Sequence, residues 1–139
     1  IAEKIEDIAG IRIICQFVED IDRVATLLNS RDDITVVHSK DYIKNMKPSG
    51  YRSYHMIIEY PVATLKGPQR VKVEIQIRTI AMDFWASLEH QLKYKKKIEN
   101  PEKIANELKY CADVITEVDM RMQDIRYMID EVEKKHDKS

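Results

Sequence analysis

The chain has 139 residues, and its 23 lysines and arginines nearly balance its 24 aspartates and glutamates, so its formal net charge is −1. This length fits one domain with a single core. The charge balance argues against bulk electrostatic binding to nucleic acid or to an anionic membrane. With 44% hydrophobic and 34% charged residues, the composition predicts a folded protein rich in solvated helix.

The two cysteines, Cys15 and Cys111, lie in apolar stretches without the spacing of a zinc site or a redox motif. We therefore predict two reduced core residues in a cytoplasmic protein. The sequence has no run of 18 apolar residues and no signal-peptide pattern at its start, so we expect no membrane association. Because the chain starts at Ile1 and not at Met, we expect it to be a portion of a longer protein.

The first elements are a strand, a helix and a second strand. Residues 11–18, I-R-I-I-C-Q-F-V, are mainly β-branched and apolar and predict a buried strand. Asp20 is the predicted cap of a helix. Its apolar positions recur at helical spacing: Ile21, Val24, Leu27 and Leu28. Residues 34–37 predict the second strand.

Two further strands follow a polar connection over residues 38–50. Residues 51–60 predict the third strand, and residues 70–78 alternate strictly between apolar and polar side chains, which predicts the fourth. These two strands are expected to form a hairpin with a loop over residues 61–69. The polar face of the fourth strand carries Lys72, Glu74, Gln76 and Arg78.

Two helices complete the chain. Thr79 is the predicted cap of the first, and Asn100 with Pro101 opens the second in the preferred way. The first helix has an expected inward face of Ile80, Ala81, Phe84, Trp85, Leu88 and Leu92. The second carries a heptad seam of Ile104, Leu108, Cys111, Ile115, Val118, Met122, Ile125, Ile129 and Val132. We favour packing of this seam against the domain's own helices over a coiled coil between subunits, which stays open.

Carboxylates on or before strands are candidates for chemistry. Glu74 lies between cations on a rigid strand, where it is able to bind a metal or accept a proton. Taken alone, a solvated ion pair with Lys72 or Arg78 is the more frequent outcome for such a residue. Asp7 precedes the first strand and is a second candidate ligand for a divalent ion. The alternative for Asp7 is a turn or cap residue.

The segment 38–55 contains four cations and one acidic residue, with three tyrosines interleaved. Cations that attract phosphates and rings that stack on a base suit a nucleotide. A lysine-rich solvated loop is the equally weighted alternative. The sequence has neither a P-loop nor a G-x-G-x-x-G fingerprint.

Five motifs in register resemble the synthetase domain of the RelA/SpoT family. They are D-I-A-G-I-R at 7–12, K-D-Y-I-K at 40–44, K-P-S-G-Y-R-S-Y-H at 47–55, V-E-I-Q-I-R-T at 73–79 and A-M-D-F-W-A-S-L-E-H at 81–90. The resemblance is greatest to small single-domain alarmone synthetases. It implies an α+β fold: a mixed sheet of nucleotidyltransferase type with flanking helices and a long C-terminal helix.

The resemblance also implies an activity and a site. The family transfers pyrophosphate from ATP to the 3′-hydroxyl of GTP or GDP in the stringent response, giving (p)ppGpp and AMP. By this resemblance Asp7 and Glu74 hold Mg²⁺, and Glu74 also activates the hydroxyl. The implied acceptor-nucleotide residues are Lys40, Lys47, Tyr51, His55, Gln76 and Asp83, with Tyr51 stacked on guanine, and Arg12 is placed on the ATP side.

The predicted organisation is a catalytic core over residues 1–100 and a helical extension over residues 101–139 that packs on the core or forms a homo-oligomer. The family's small synthetases carry a basic helical segment before the first strand, and this sequence begins too late to include it. Two alternative functions stay open: a non-catalytic module that binds guanine nucleotides, and pyrophosphate transfer to a tRNA 3′ end. The charge balance weakly disfavours the second alternative.

Overall fold

The computed structural model describes residues 9–95, 97 and 99–137. In this part of the chain the elements follow one another as β1 (Ala9–Cys15), α1 (Val18–Asn29), β2 (Thr35–Asp41), β3 (Tyr54–Thr64), β4 (Gly67–Thr79), α2 (Ile80–Lys93) and α3 (Pro101–Asp137). None of the helices described is long and apolar enough to cross a bilayer.

The four strands form one mixed sheet in the order β1-β4-β3-β2. β1 is parallel to β4, whereas β4, β3 and β2 are successively antiparallel. The mixed sheet with flanking helices and a long C-terminal helix confirms the predicted fold class.

One face of the sheet carries the hydrophobic core. The alternation in β4 directs Ile75 and Ile77 to this face, where α1 covers them with Ile21 and Ala25. Ile77 is fully buried, and burial of such a side chain contributes about 1.5–3 kcal/mol. Since α1 occupies the apolar side, the polar residues of the same strands lie together on the opposite face.

The strand boundaries correct several predictions. β1 spans Ala9–Cys15, and α1 already begins at Val18. β2 continues to Asp41 because its polar residues pair with β3, so the predicted connection over residues 38–50 was wrong in its first part. The predicted loop over residues 61–69 was also wrong, since β3 and β4 stay paired up to Thr64 and Gly67.

The continuous hairpin has a simple physical reason. Pro61 pairs in register with Arg70 in a part of β3 that no strand flanks on its other side, and a proline is tolerated where its missing N–H would face solvent. Gly67, with φ of 105°, accommodates the tight turn over residues 65–66.

The helix caps agree only in part with the predictions. Thr79 caps α2 as predicted, because its Oγ1 accepts a hydrogen bond from the Met82 N–H at 3.2 Å. In α1 the cap residue is Phe17, and Asp20 is the third residue of the helix. The Asp20 carboxylate instead accepts from the Phe17 N–H at 3.3 Å, which is how an acidic third residue stabilises a helix start.

The inward face of α2 differs from the prediction. Ile80 and Phe84 are exposed by 60% and 69%, whereas Met82, Trp85 and Ala86 are buried. The physical reason is that α2 packs on α3 as well as on the sheet: Trp85 donates its indole N–H to the Leu108 carbonyl at 2.7 Å.

Helix α3 begins at Pro101 as predicted, and Asn100 adopts φ of 54° immediately before it. The helix has 37 residues and is about 55 Å long. Its buried residues are Ala112, Asp119 and Gln123. The favoured prediction that the seam packs within the domain was wrong for its distal half, which is 42–56% exposed at Val118, Met122, Ile125, Ile129 and Val132.

The two cysteines also differ. Cys15 is buried as predicted, and burial raises the pKa of its thiol. Cys111 is exposed, so its predicted core position was wrong. The reason is that α3 turns the neighbouring Ala112, and not Cys111, toward α2.

Candidate active site

A row of four functional side chains crosses the polar face of the sheet. Lys40 on β2 pairs in register with His55 on β3, His55 with Gln76 on β4, and Gln76 with Arg12 on β1. Adjacent strands lie about 4.8 Å apart, so four residues that are distant in sequence become neighbours. The alternation of each strand puts all four on the side opposite α1.

Glu74 precedes Gln76 by two residues on β4, so it lies on the same face as this row. It pairs in register with Gly10. Its Oε1 accepts a hydrogen bond from the Gln76 amide at 3.4 Å. A cavity of about 260 Å³ opens here, lined by Gly10, Ile11, Arg12, Glu74 and Gln76. Glu74 therefore lines a cavity whose other walls are formed by Gln76 and by residues of the edge strand β1.

Arg78 donates hydrogen bonds to four surrounding side chains, and it was not among the site residues predicted from the sequence. Its buried guanidinium donates to the Gln76 Oε1 at 2.8 Å and to Asp83 Oδ1 at 3.0 Å. It also donates to the Tyr51 hydroxyl at 2.8 Å and to Ser53 Oγ at 3.3 Å. Because these bonds engage Arg78, the simple ion pair with Glu74 is not formed. Its place on the same strand face as Glu74 and Gln76 was the available signal.

Tyr51 follows a tight turn on the β2–β3 connection. The Gly50 N–H donates to the Lys47 carbonyl at 2.8 Å, and the Lys47 N–H donates to the Tyr51 carbonyl at 3.1 Å. These bonds, with Gly50 at φ of 101°, fold the Pro-Ser-Gly motif back on itself. The Tyr51 hydroxyl thereby reaches His55 Nε2 at 2.8 Å.

Aromatic rings and cations alternate around this turn. The Tyr42 ring centroid lies 6.0 Å from that of Tyr51 and 5.2 Å from that of His55, in edge-to-face arrangements. Lys47 Nζ lies 4.6 Å from the Tyr42 centroid and 5.2 Å from the Tyr51 centroid. The structure thus combines rings able to stack on a base with an ammonium able to meet phosphates.

The surroundings of His55 favour its neutral form over its charged form. Burial lowers the pKa of His55, and the cations Arg78, Lys47 and Lys40 lower it further against the opposing effect of Glu74. A neutral imidazole beside two lysines adds no further positive charge to this end of the site. It serves as a hydrogen-bonding partner of Tyr51.

Asp83 and Arg12 lie closer together than their predicted roles suggest. Arg12 Nη1 is 3.3 Å from Asp83 Oδ1, the same oxygen that Arg78 contacts. A second cavity of about 610 Å³ extends from Arg12, Tyr51 and Arg78 toward the α2 residue His90 and Tyr94 at the end of that helix. Arg12, predicted on the ATP side, and Asp83, predicted on the acceptor side, are therefore in direct contact.

A divalent cation suits Glu74 by the chemistry of its donors. Mg²⁺ usually keeps several waters and takes one or two carboxylates together with substrate phosphate oxygens. Among the described residues no group of three or more histidines, cysteines and acids stands ready to hold a metal, so an all-protein cage is absent from that part of the chain. Asp7, the predicted second ligand, lies outside the described residues. Glu74 beside an open cavity fits the sparse, water-retaining kind of site.

The fold and these motifs define the class of the protein. Residues 1–99 match the family model described as "Region found in RelA / SpoT proteins". The chain belongs to the RelA/SpoT family.

Particular relatives are close in sequence and in structure. The chain is 47% identical over 131 residues to the GTP pyrophosphokinase YjbM of Bacillus subtilis, covering 94% of this chain and 62% of that protein. It is 49% identical over 128 residues to the GTP pyrophosphokinase YwaC of the same organism, covering 92% of this chain and 61% of the relative. The chain thus spans about three fifths of the length of these curated relatives.

A solved structure has the same fold. The small alarmone synthetase 1 from Bacillus subtilis, bound to its product pppGpp, superimposes with a TM-score of 0.81 at 48% identity. The match covers 86% of this chain and 62% of that one.

Proposed function

We propose that the protein containing this chain is a (p)ppGpp synthetase that transfers pyrophosphate from ATP to the 3′-hydroxyl of GTP or GDP. The observation that carries this proposal is the polar sheet face, where Lys40, His55, Gln76 and Arg12 align in register beside Glu74. The relatives' names and the product-bound neighbour support the same reaction.

The acceptor nucleotide binds beside Tyr51, next to the polar face of the sheet. Tyr51 stacks on guanine while its hydroxyl is held by His55 and Arg78 at 2.8 Å each, so the ring has a defined orientation before the base arrives. Lys47 and Lys40 meet the acceptor's phosphates. His55 and Gln76 line this pocket, and Asp83 accepts from the ring donors of guanine.

Glu74 accepts the proton of the 3′-hydroxyl. The hydroxyl oxygen then forms a bond to the β-phosphorus of ATP, the bond from that phosphorus to the bridging α-phosphate oxygen breaks, and AMP leaves. Catalysis of this kind depends on positioning and charge stabilisation. Arg12 contacts the ATP side and is held at one end by its ion pair with Asp83 at 3.3 Å.

Mg²⁺ is the proposed cofactor, with Glu74 and Asp7 as its protein ligands. When bound, it neutralises the charge of the ATP phosphates. Glu74 is suited to this place because the cavity beside it, about 260 Å³ in volume, leaves room for phosphate oxygens and water.

The test measures AMP and a guanosine 3′-diphosphate product from ATP and GDP with the full-length protein and Mg²⁺. Glu74→Gln and Tyr51→Ala are expected to abolish or strongly reduce turnover. Glu59→Gln is the matched control, because Glu59 is a carboxylate of the same sheet that pairs with Arg70 in the outer part of the hairpin. Full activity of Glu74→Gln contradicts the assigned role, and GDP binding without any turnover by the wild type contradicts the proposed activity.

We also propose that the protein forms a homo-oligomer through the exposed seam of α3. Val118, Met122 and Ile125 are each 42–45% exposed, and apolar residues repeated along a long helix favour a covered helix–helix contact. Met122→Glu is expected to lower the sedimentation coefficient of the full-length protein. An unchanged coefficient would place the contact elsewhere or exclude it.

A further inference from the structure

A buried ion pair connects α3 to the segment that carries Tyr51. Arg52 Nη1 lies 3.6 Å from Asp119 Oδ2, and the two side chains are only 8% and 5% exposed. Arg52 directly follows Tyr51 in the chain. The same Asp119 oxygen accepts a hydrogen bond from Thr79 Oγ1 at 2.8 Å. One carboxylate on α3 therefore contacts two separate parts of the fold.

Each of these two parts carries a residue of the candidate active site. Thr79 caps α2 by accepting from the Met82 N–H at 3.2 Å, and Asp83 lies in the first turn of that helix. Asp83 and Tyr51 both accept hydrogen bonds from Arg78. Asp119 thus contacts the cap residue of the helix that carries Asp83 and the side chain of Arg52, the residue after Tyr51.

A second contact holds the same segment against α3. A Cβ atom placed on Gly50 would lie 2.6 Å from Ala112 Cβ and 3.3 Å from Trp85 Cζ2. Trp85 in turn donates to the Leu108 carbonyl of α3 at 2.7 Å. The backbone at Gly50 is therefore pressed directly onto the helix, with no space for a side chain between them.

Stability alone does not account for a charged pair at this place. Burial raises the pKa of Asp119 and lowers the pKa of Arg52, so desolvation opposes both charges. Well-packed apolar residues often stabilise a fold as well as a buried ion pair does. What a buried pair adds is a defined direction and distance, which an apolar contact specifies less strictly.

We propose that Asp119 and Arg52 are positioning residues, through which α3 sets the place of Tyr51 relative to Asp83 in the acceptor-nucleotide site. This inference rests on the proposed function. It assigns to the helical extension a role within the active site itself, separate from any role in oligomer assembly.

The test compares steady-state kinetics of Asp119→Asn with those of the wild-type full-length protein. The KM for GDP is expected to rise on the order of tenfold, because small misplacements of a binding group are costly. The KM for ATP is expected to change by less than about threefold, because the backbone of Arg12 belongs to β1, which Asp119 does not contact, and only the end of the Arg12 side chain reaches Asp83. Hydrogen exchange across residues 47–55 is expected to quicken. Glu117→Gln is the matched control: it removes one acid from an exposed i,i+4 pair with Arg121 on the same helix.

Ala112→Val is the second variant, because Asp119→Asn leaves a buried arginine without its partner and is able to prevent folding. The added methyl groups are expected to displace the Gly50 backbone, which lies directly against Ala112, while both charged residues of the Arg52–Asp119 pair are kept. It is expected to raise the KM for GDP and to quicken exchange over the same residues.

The outcomes separate the inference from the proposed function. Folded variants with lower thermal stability but an unchanged KM for GDP show a merely structural role and overturn the inference alone. A wild-type protein that neither binds nor converts GDP overturns the proposed function and the inference with it.

Discussion

The contact between Gly50 and α3 makes a quantitative prediction for the substitution Gly50→Ala. Gly50 has φ of 101°, and an L side chain in such a conformation costs roughly 1–2 kcal/mol. The new methyl group would also lie 2.6 Å from Ala112 Cβ, and overpacking of this kind costs about 1–3 kcal/mol. The expected loss is therefore about 2–5 kcal/mol in the free energy of unfolding.

The other two glycines supply the controls. Gly67 has φ of 105°, but a Cβ placed on it would meet no atom within 4 Å, so Gly67→Ala is expected to lose only the conformational part, about 1–2 kcal/mol. A Cβ on Gly10 would also meet nothing within 4 Å, and the residue has no positive φ. Gly10→Ala is therefore expected to be nearly neutral.

The assay is urea denaturation of the full-length protein and the three alanine variants, followed by circular dichroism. Equal losses for Gly50→Ala and Gly67→Ala would refute the reasoning, because the difference between them is the clash with α3. Relative to Ala112→Gly alone, which itself costs about 1 kcal/mol in the interior of a helix, adding Gly50→Ala is expected to cost only the conformational part and not the packing part.

Two further predictions concern the charged side of the site. Lys47→Met is expected to raise the KM for GDP roughly tenfold or more through loss of a charge-assisted phosphate contact, whereas Lys44→Met, at an exposed lysine of the same connection, is expected to leave it unchanged; equal effects in steady-state assays would contradict the assignment. Because burial lowers the pKa of His55 in the folded protein, the unfolded chain binds its proton first as the pH falls below about 6.5. The wild type is therefore expected to lose more unfolding free energy between about pH 7.5 and 5.5 than His55→Gln does, and parallel profiles from denaturation at each pH would argue against this.

Local patterns in the sequence were sufficient for much of the fold. The strict alternation in β4 correctly predicted that Ile75 and Ile77 face the core and that Glu74 and Gln76 lie on the other side, because side-chain direction in a strand is a property of the strand itself. Thr79 and Pro101 were correctly placed at helix starts for the same reason, since the groups that begin a helix are supplied by neighbouring residues.

The boundaries and inward faces of several elements were beyond local reasoning. The hairpin extends through Pro61 only because that part of β3 has a free edge, which depends on the length of β2. Likewise, α3 packs inward with Ala112, Asp119 and the proximal seam residues Leu108 and Ile115, and leaves the distal seam exposed. The reason is that the surfaces it packs against are small: α2, the Gly50 turn and the start of α1.

The candidate site divides in the same way. By itself the sequence determined the types of residue required, from Glu74 to the lysine and tyrosine segment, because those residues occur in compact motifs and their strand parity is local. Only the tertiary structure decided that Arg78 donates hydrogen bonds to Asp83 and Tyr51 and that Arg12 reaches Asp83. It also decided that Asp119 contacts Arg52 and Thr79. Apart from the Arg78–Asp83 contact, which joins the consecutive elements β4 and α2, these contacts join elements far apart in the chain, and their distances are set by how the sheet, α2 and α3 pack together.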